Sequence, residues 1–495
     1  MILTHPTSTR SIRRRTSRDP KPHFKQERGN QLDAVRGCPA LVLPPDHPAR
    51  EVQRIVSGFD LSKLEAGYSS LGRHGYHPRN VLAVWLFASQ MGIHHATKVA
   101  RACETDAALL FLSGGHAISA GTLKRFRQQN RALFSDLLVE TVRIAHAAGL
   151  ITPSEVATDS MRLRAHASTH SVRTVKRSRE RLEELAAVDT STLSPEQLAR
   201  HEGKLDKHRR ALEECAARDR TSVVVTNPEA ALMKFPSGAG LPGHRITATA
   251  SGVSERIVIG VLIDADPTDA GKLEAAVQGA CHVLEQAGVP LTGLQVALDA
   301  GYFCETDLEF AHKNRDWVDV LIAEGPAAKD PVSTARKGYF GRDRFRILDD
   351  GGAICPADKP MSPPSPHHGG RTVWEGLGCS ECALRPKCTP GTKRSLTAHL
   401  KLEEVREAMR RRMAEPDARE RYGQRIATIE PVFSNIEDVM SYRRASSRHP
   451  TTIVAEVLMK ILAHNMSRIS AARRLACIWA RLGVPTPNAA SNPAD

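Results

Sequence analysis

The sequence predicts a mixed α/β domain preceded by an all-helical domain and followed by a cysteine-containing insert. Three observations carry this. β-rich runs at Arg245–Ala250, Arg256–Ile263, Leu294–Leu298 and Val318–Ala323 alternate with helical segments, the order of a mixed sheet. Residues from about 50 to 150 show helical spacing only. Cys355, Cys379, Cys382 and Cys388 are grouped in a stretch rich in Gly and Pro.

With 495 residues the chain is long enough for more than one domain, and its 41% hydrophobic content suits a globular protein. No apolar run reaches the length of a membrane span, and the polar, Arg-rich start lacks the apolar centre of a secretory signal. The net charge of +14 favours a polyanionic partner, with nucleic acid first; a solvated basic surface is the alternative. Only 4% of residues are aromatic, so duplex backbone contact fits better than a stacking platform for single strands. Cys38, Cys103, Cys215, Cys281, Cys304 and Cys477 are scattered and read as reduced thiols.

Along the chain, residues 1–45 are basic, densest at Arg13–Arg15, and read as a disordered arm. Residues 46–150 form the helical domain. Its segments Pro78–Ala88, Ile93–Arg101 and Ser119–Arg127 resemble a helix-turn-helix, with Lys124, Arg125 and Arg127 as candidate phosphate contacts; small helical domains with no DNA role look similar. Residues 151–330 hold the first part of the α/β domain. Its first strand lies within Ile151–Arg164, and a charged helical hairpin is inserted at 168–219. The order of strand, hairpin, helix, strand, helix, strand fits an RNase H-like sheet. Residues 331–400 are the Cys-rich insert, 401–480 a helical remainder, and 481–495 a disordered tail.

Three acidic stretches stand out: Val156–Ser160 with Asp159, Val296–Tyr302 with Asp299, and Ile429–Phe433 with Glu430. Asp299 stands where an apolar run ends and is followed by Gly301, a common way to aim a carboxylate into a crevice, although a turn-forming Asp looks the same. Three carboxylates from distant parts of one α/β domain suit Mg²⁺, a hard cation that takes oxygen ligands. Two such ions roughly 3.5–4 Å apart can serve both attacking and leaving oxygens of a phosphoryl transfer. No Walker-type phosphate loop is present, which argues against a nucleotide motor. The pair Cys379-x-x-Cys382, with Cys388 and Cys355, is a candidate tetrahedral Zn²⁺ set, with His367 and His368 as spare ligands and reduced packing thiols as the alternative.

These stretches resemble the DDE transposases of the IS4/IS5-like supergroup, most closely the IS1182 type. The stretch from Asp159-Ser160 to Ala165-His166-Ala167-Ser168 resembles the first acidic motif, and Asp299-Ala300-Gly301-Tyr302 the second. Tyr422, Arg425 and Glu430-Pro431-Val432-Phe433 resemble the third, while Asn227–Lys234 and Pro242-Gly243-His244 resemble the stretch before the second acid. Residues 57–135 resemble the N-terminal DNA-binding domain of that family. The resemblance implies an RNase H-like fold with Asp159, Asp299 and Glu430 binding two Mg²⁺ (or Mn²⁺) ions. It implies cleavage of double-stranded DNA at terminal inverted repeats and strand transfer to target DNA, by a homodimer in the bacterial cytosol, associated with the nucleoid. Tyr422 and Arg425 would contact DNA near the cleaved end.

The sequence departs from the family pattern at three places. Ser160 stands where Gly is usual, Asn227 where Asp is usual, and Glu437 where a basic residue is expected. A carboxylate at that last position repels phosphate unless Arg443 and Arg444 compensate. On a continuous helix Glu437 would also share a face with Glu430 and rival it as the third acid. A nuclease without strand transfer, or a catalytically impaired DNA-binding relative, are the alternative readings.

Overall fold

The computed structural model describes residues 24–31, 38–68, 74–324, 339–341, 344–348, 350–367, 371–398 and 400–482. Of the arm expected over 1–45, residues 1–23 and 32–37 lie outside these, as do the tail from 483 and His368. Pro39–Val42 is a short helix and Cys38 and Leu43 are buried, so the end of that expected arm is ordered. The chain divides into two compact units, Met1–Ser89 with Ile93–Gln129, and Gln90–Gly92 with Asn130–Asp495.

The described part of the first unit is helical. Its central helix, Pro78–Gln90, buries residues on every side from Val81 to Ser89, so neighbours cover it all round. Helix Ala96–Thr105 contributes Ala96, Val99 and Cys103, one face at helical spacing. The Asp106 side chain accepts from Leu109 N and caps the following helix, Ala107–Leu112. The last helix, Ala120–Gln129, buries Leu123, Phe126 and Arg127.

In the second unit, a mixed sheet is built around strand β1 (Val156–Arg164). Strand β2 (Gly240–Ser251) runs antiparallel to β1 along its whole length, and β3 (Ile257–Asp264) pairs antiparallel with β2. Helix α2 (Leu273–Gln286) leads to β4 (Gln295–Leu298), parallel to β1, and helix α3 (Glu305–Lys313) leads to β5 (Asp319–Ile322), parallel to β4. The strand order β3-β2-β1-β4-β5 is that of an RNase H-like fold, as the sequence predicts, with a short strand Ala231–Lys234 added beside the start of β2. The middle of the sheet is covered on both faces, so β2 is buried continuously from Gly243 to Ser251 instead of alternating. The hairpin between β1 and β2 consists of Val175–Ala186 and Pro195–Ala217, the second opened by a Ser194–Gln197 capping box.

The sequence pattern extends the first domain to residue 150. In the structure, helix α1 (Arg131–Ala147) packs instead within the second unit, against the long helix α6 (Pro450–Leu482). Its apolar face of Phe134, Leu137, Leu138 and Val142 supplies the reason. Helix α6 is buried from Ile453 to Ile469 and carries the polar residues Glu456, Lys460, His464 and Asn465 inside the core. Their partners are specific. Glu456 accepts from Tyr442 Oη at 2.9 Å and from Ser446 N at 3.0 Å. Asn465 accepts from Val258 N at 2.8 Å and donates to Val258 O at 2.9 Å, next to the point where the β2–β3 register shifts. His464 bonds Asn435 at 2.8 Å through Nδ1 and Arg256 O at 2.8 Å through Nε2.

The Cys-rich segment folds around its own small core of Phe345, Ala353, Met361, Trp374, Leu396 and Ala398. Strands Ser365–His367, Arg371–Glu375 and Ser395–Ala398 form its sheet. After it come helices α4 (Leu400–Ala414) and α5 (Pro416–Ser434).

Asn465→Ala leaves a buried N–H and C=O of Val258 without partners and is predicted to cost about 3 kcal/mol, read as a lower Tm. Burial holds His464 down at about pH 4, so the unfolded chain binds its proton more readily than the fold. Stability is predicted to fall as pH drops from about 6.5 towards 4, by up to about 3 kcal/mol for this group, and His464→Gln should flatten that slope in denaturant titrations.

Candidate active site

The pairing of β1 with β4 ends at Thr158 and Leu298, and each strand supplies a carboxylate as its next residue. Asp159 and Asp299 are therefore set side by side at the ends of adjacent parallel strands. Asp299 accepts from Gly301 N at 2.9 Å and opens the single turn Ala300–Tyr302. A Cβ at Gly301 would stand 3.0 Å from Asp299 Oδ1 and 3.2 Å from Asp269 Oδ2, so any larger residue would have to push these carboxylates aside.

Helix α5 packs over this point, against β1, β2 and β4. It delivers Arg425, whose Nη1 donates to Asp159 Oδ2 at 2.8 Å, and both side chains are largely buried. It also delivers Glu430, which is exposed. The Asp159 carboxyl is pushed up by burial and held back by Ser160 N and Arg425, while the Glu430 charge adds to the rise. Asp299 is raised by burial and then by the charge of Asp159. Burial dominates both shifts, and a neighbouring carboxylate adds to each: Glu430 to Asp159, and Asp159 to Asp299. The structure sets Asp159 beside Asp299, with Glu430 near enough to act on Asp159 through its charge. Tyr422 packs against Ala297 and Leu321 of the sheet and Ala418 of its own helix. Burial raises its hydroxyl, and the nearby Arg425 opposes the rise.

Glu437 follows Glu430 within a π turn, Asn435–Val439, that continues the helix after Ser434. Pro431 has no N–H for Ala427 O, and Arg256 Nε donates to that carbonyl at 2.9 Å instead. Burial raises the Glu437 carboxyl, Arg443 lowers it, and the charge of Glu430 adds to the rise. Arg443 is tied to Asp438, whereas Arg444 is exposed and has no carboxylate partner among the described residues.

Of the three basic residues on Ala120–Gln129, Lys124 and Arg125 are exposed. Arg127 is turned inward at 5% exposure: it lies 4.9 Å over the Trp85 ring and donates to His94 O at 3.1 Å. A side chain so placed supports the helical unit and presents no charge to a phosphate.

Sequence reasoning missed Asp269 and Arg245. Arg245 is 1% exposed on β2 and pairs with Asp269. Its Nε donates to Asp266 O at 2.8 Å and its Nη1 to Ser160 Oγ at 2.5 Å, while Ser160 Oγ in turn bonds Asp269. Ser160, where the family pattern has Gly, thus keys the first acid's strand to the turn after β3. The signal available was an Arg inside a buried apolar run, which demands an acidic partner.

Cys355, Cys379, Cys382 and Cys388 line one small cavity with Gly376, Leu384 and Arg394. Burial raises the Cys388 thiol, and the other three thiols add to the rise. A Cβ at Gly376 would meet Cys379 Sγ at 2.5 Å, so glycine makes room for the sulfur. The donor chemistry of both clusters suits metal: hard oxygens at the strand ends, soft sulfurs in the insert. As the side chains stand, no group of three or more His, Cys, Asp or Glu among the described residues could hold an ion. At the carboxylates, the Arg425–Asp159 pair accounts for one ligand oxygen already engaged.

Because folding raises Asp299, its charge opposes folding at neutral pH. In metal-free buffer Asp299→Asn is predicted to raise the Tm, with the gain fading as pH falls into the range where Asp299 protonates. Asp269→Ala should do the opposite, costing about 3–5 kcal/mol by leaving the Arg245 guanidinium buried without its carboxylate.

No curated protein matches the chain. A family model described as "Transposase domain (DUF772)" matches residues 40–129, the helical unit, and one described as "Transposase DDE domain" matches residues 354–470, from the cysteine cluster through the third acid into α6. These two matches in this order, with an RNase H-like sheet between them, support a DDE transposase with an N-terminal helical domain of the IS1182-like type.

Proposed function

We propose that this transposase binds the terminal inverted repeats of its own element, cleaves DNA there in a reaction dependent on Mg²⁺ or Mn²⁺, and joins the freed end to target DNA. The single observation that carries the reading is the pairing of Asp159 with Asp299 at adjacent strand ends, under the helix that bears Glu430. Asp159, Asp299 and Glu430 would hold two divalent ions, which when bound supply an activated oxygen nucleophile and neutralise charge on the reacting phosphate. The residues of the chain set the conditions for this. Arg425 neutralises Asp159 until a cation takes over, and its guanidinium is then available to a phosphate oxygen. Tyr422 braces Arg425 from the sheet side. Asp269, held by Arg245 and Ser160, fixes the turn against which Gly301 and Asp299 close. Lys124 and Arg125 are exposed cations on the last helix of the helical unit, available to duplex phosphates. A homodimer on paired ends is the assembly this reading implies.

A second reading is favoured by Glu437, which stands where the family pattern has a basic residue. In that reading the chain binds DNA and cuts it poorly. The same experiment separates the two. On duplex DNA carrying the sequences that flank the gene, Asp159→Asn, Asp299→Asn and Glu430→Gln should each lower Mg²⁺-dependent cleavage by at least about a thousandfold while leaving binding in place. Glu437→Lys should raise it or leave it unchanged. Equal, near-background cleavage by wild type and all variants sinks the enzyme reading and leaves the binding one.

We also propose that Cys355, Cys379, Cys382 and Cys388 hold a structural Zn²⁺ around which the insert folds. Metal analysis of the purified chain should give one Zn²⁺ per molecule, and chelation should expose the amides of residues 350–398 to hydrogen exchange. Full protection after chelation, or no zinc, rules it out.

A further inference from the structure

Beyond the end of β4, the edge of β1 stays open from Asp159 until Arg164, where a second segment closes it. There Arg164 N donates to Arg443 O at 3.2 Å and Ala445 N to Arg164 O at 2.9 Å, in a parallel bridge between Arg164 and Arg444. This bridge sets two arginines side by side. Arg448 joins them, its Nε fixed on His166 O at 3.0 Å. Together they line a solvent-open cleft of about 390 Å³ with His166, Ser168 and Thr169, and no carboxylate lines it.

Charge and pairing set this cleft apart. Several arginines near the carboxylates are engaged: Arg410 with Glu324, Arg412 with Asp319, Arg421 with Glu155, Arg425 with Asp159, Arg443 with Asp438. Arg164, Arg444 and Arg448 are exposed and have no carboxylate partner among the described residues. Three cations gathered without counter-charge repel one another, and an anion in the cleft removes that cost. The volume falls within the range of small-ligand pockets, but beside Ala165, Ala167, Leu241 and Pro242 the lining carries three arginines and the hydroxyls of Ser168 and Thr169, which suits an extended polyanion.

The position along β1 names the polyanion. Five residues separate Asp159 from Arg164, about 16 Å of strand. One strand of duplex DNA carries a phosphate for every 3.4 Å of helix axis, so roughly five phosphates span that distance. We propose that this cleft binds consecutive backbone phosphates of the DNA whose cleaved phosphate lies at Asp159 and Asp299, with Arg164, Arg444 and Arg448 as the contacts. The proposal rests on the transposase reading. It gives the DNA a basic anchor independent of Glu437, whose neighbour Arg443 is consumed by Asp438.

The test is the salt dependence of binding of the full chain to a random-sequence DNA duplex a few turns long. Neutralising all three positions, as Arg164→Gln, Arg444→Gln and Arg448→Gln, should lower the log–log salt slope by about 3 and weaken binding at moderate salt at least about tenfold. The triple Arg→Lys chain keeps the charges and should keep the slope. It also controls for folding, together with matched thermal melts. An unchanged slope in the Gln chain, while wild type binds, overturns this site alone. A wild-type chain that binds no duplex overturns both this site and the transposase reading.

Discussion

The structure depends on placing negative charges next to each other where two parallel strands end. Asp159 and Asp299 are neighbours because β1 and β4 pair in register up to the residues before them, so the backbone ladder imposes the proximity. Burial pushes both carboxyls upward, the charge of Asp159 adds to Asp299 and that of Glu430 to Asp159, and the surrounding architecture answers that cost. Arg425 offsets it from above, through α5. Arg245 offsets it from within the sheet by holding Asp269, the next carboxylate in line, and by bonding Ser160. A site built in this way destabilises the fold that carries it, and a cation would relieve it.

The supports of α5 run through the core. Pro431 breaks its hydrogen-bond ladder one residue after Glu430, Arg256 takes up the freed carbonyl, and the backbone of Arg256 is in turn held by His464 of α6. Asn435, at the start of the π turn, bonds the other nitrogen of the same imidazole. Thus α6, which touches none of the three acids among the described contacts, fixes the helix that delivers Glu430 and the π turn that carries Glu437. Asn465, one residue on, ties the same helix to β3. Buried polar groups with full partners rigidify in this way, whereas an apolar stripe would allow the helices to slide.

Much of this is legible in the sequence. The strands of the sheet, the hairpin insert and the second acid at a strand end all come from runs, turns and spacing. The parts that are not legible depend on partners far apart in sequence. Asp269 sits in a turn that looks like any other, and only Arg245 beneath it gives it a task. Arg127 reads as a DNA contact within the basic run Lys124-Arg125-Phe126-Arg127, yet its spacing of four from Leu123 puts it on the buried face beside Trp85. The π turn that carries Glu437 cannot be read from the sequence, whose spacing assumes a continuous α-helix. The cationic cleft is hidden from the sequence because its arginines come from two segments joined by a single bridge.

The central claim is that the paired carboxylates are held against their own repulsion in order to take a divalent cation. The most direct measurement is the thermal stability of the full chain titrated with Mn²⁺, for wild type and for Asp299→Asn. A ligand that binds only the folded state raises its stability. The account predicts a Tm that climbs with Mn²⁺ in the wild type and stays flat in the variant, which begins higher. Equal shifts in both chains, or no shift in the wild type, would contradict it.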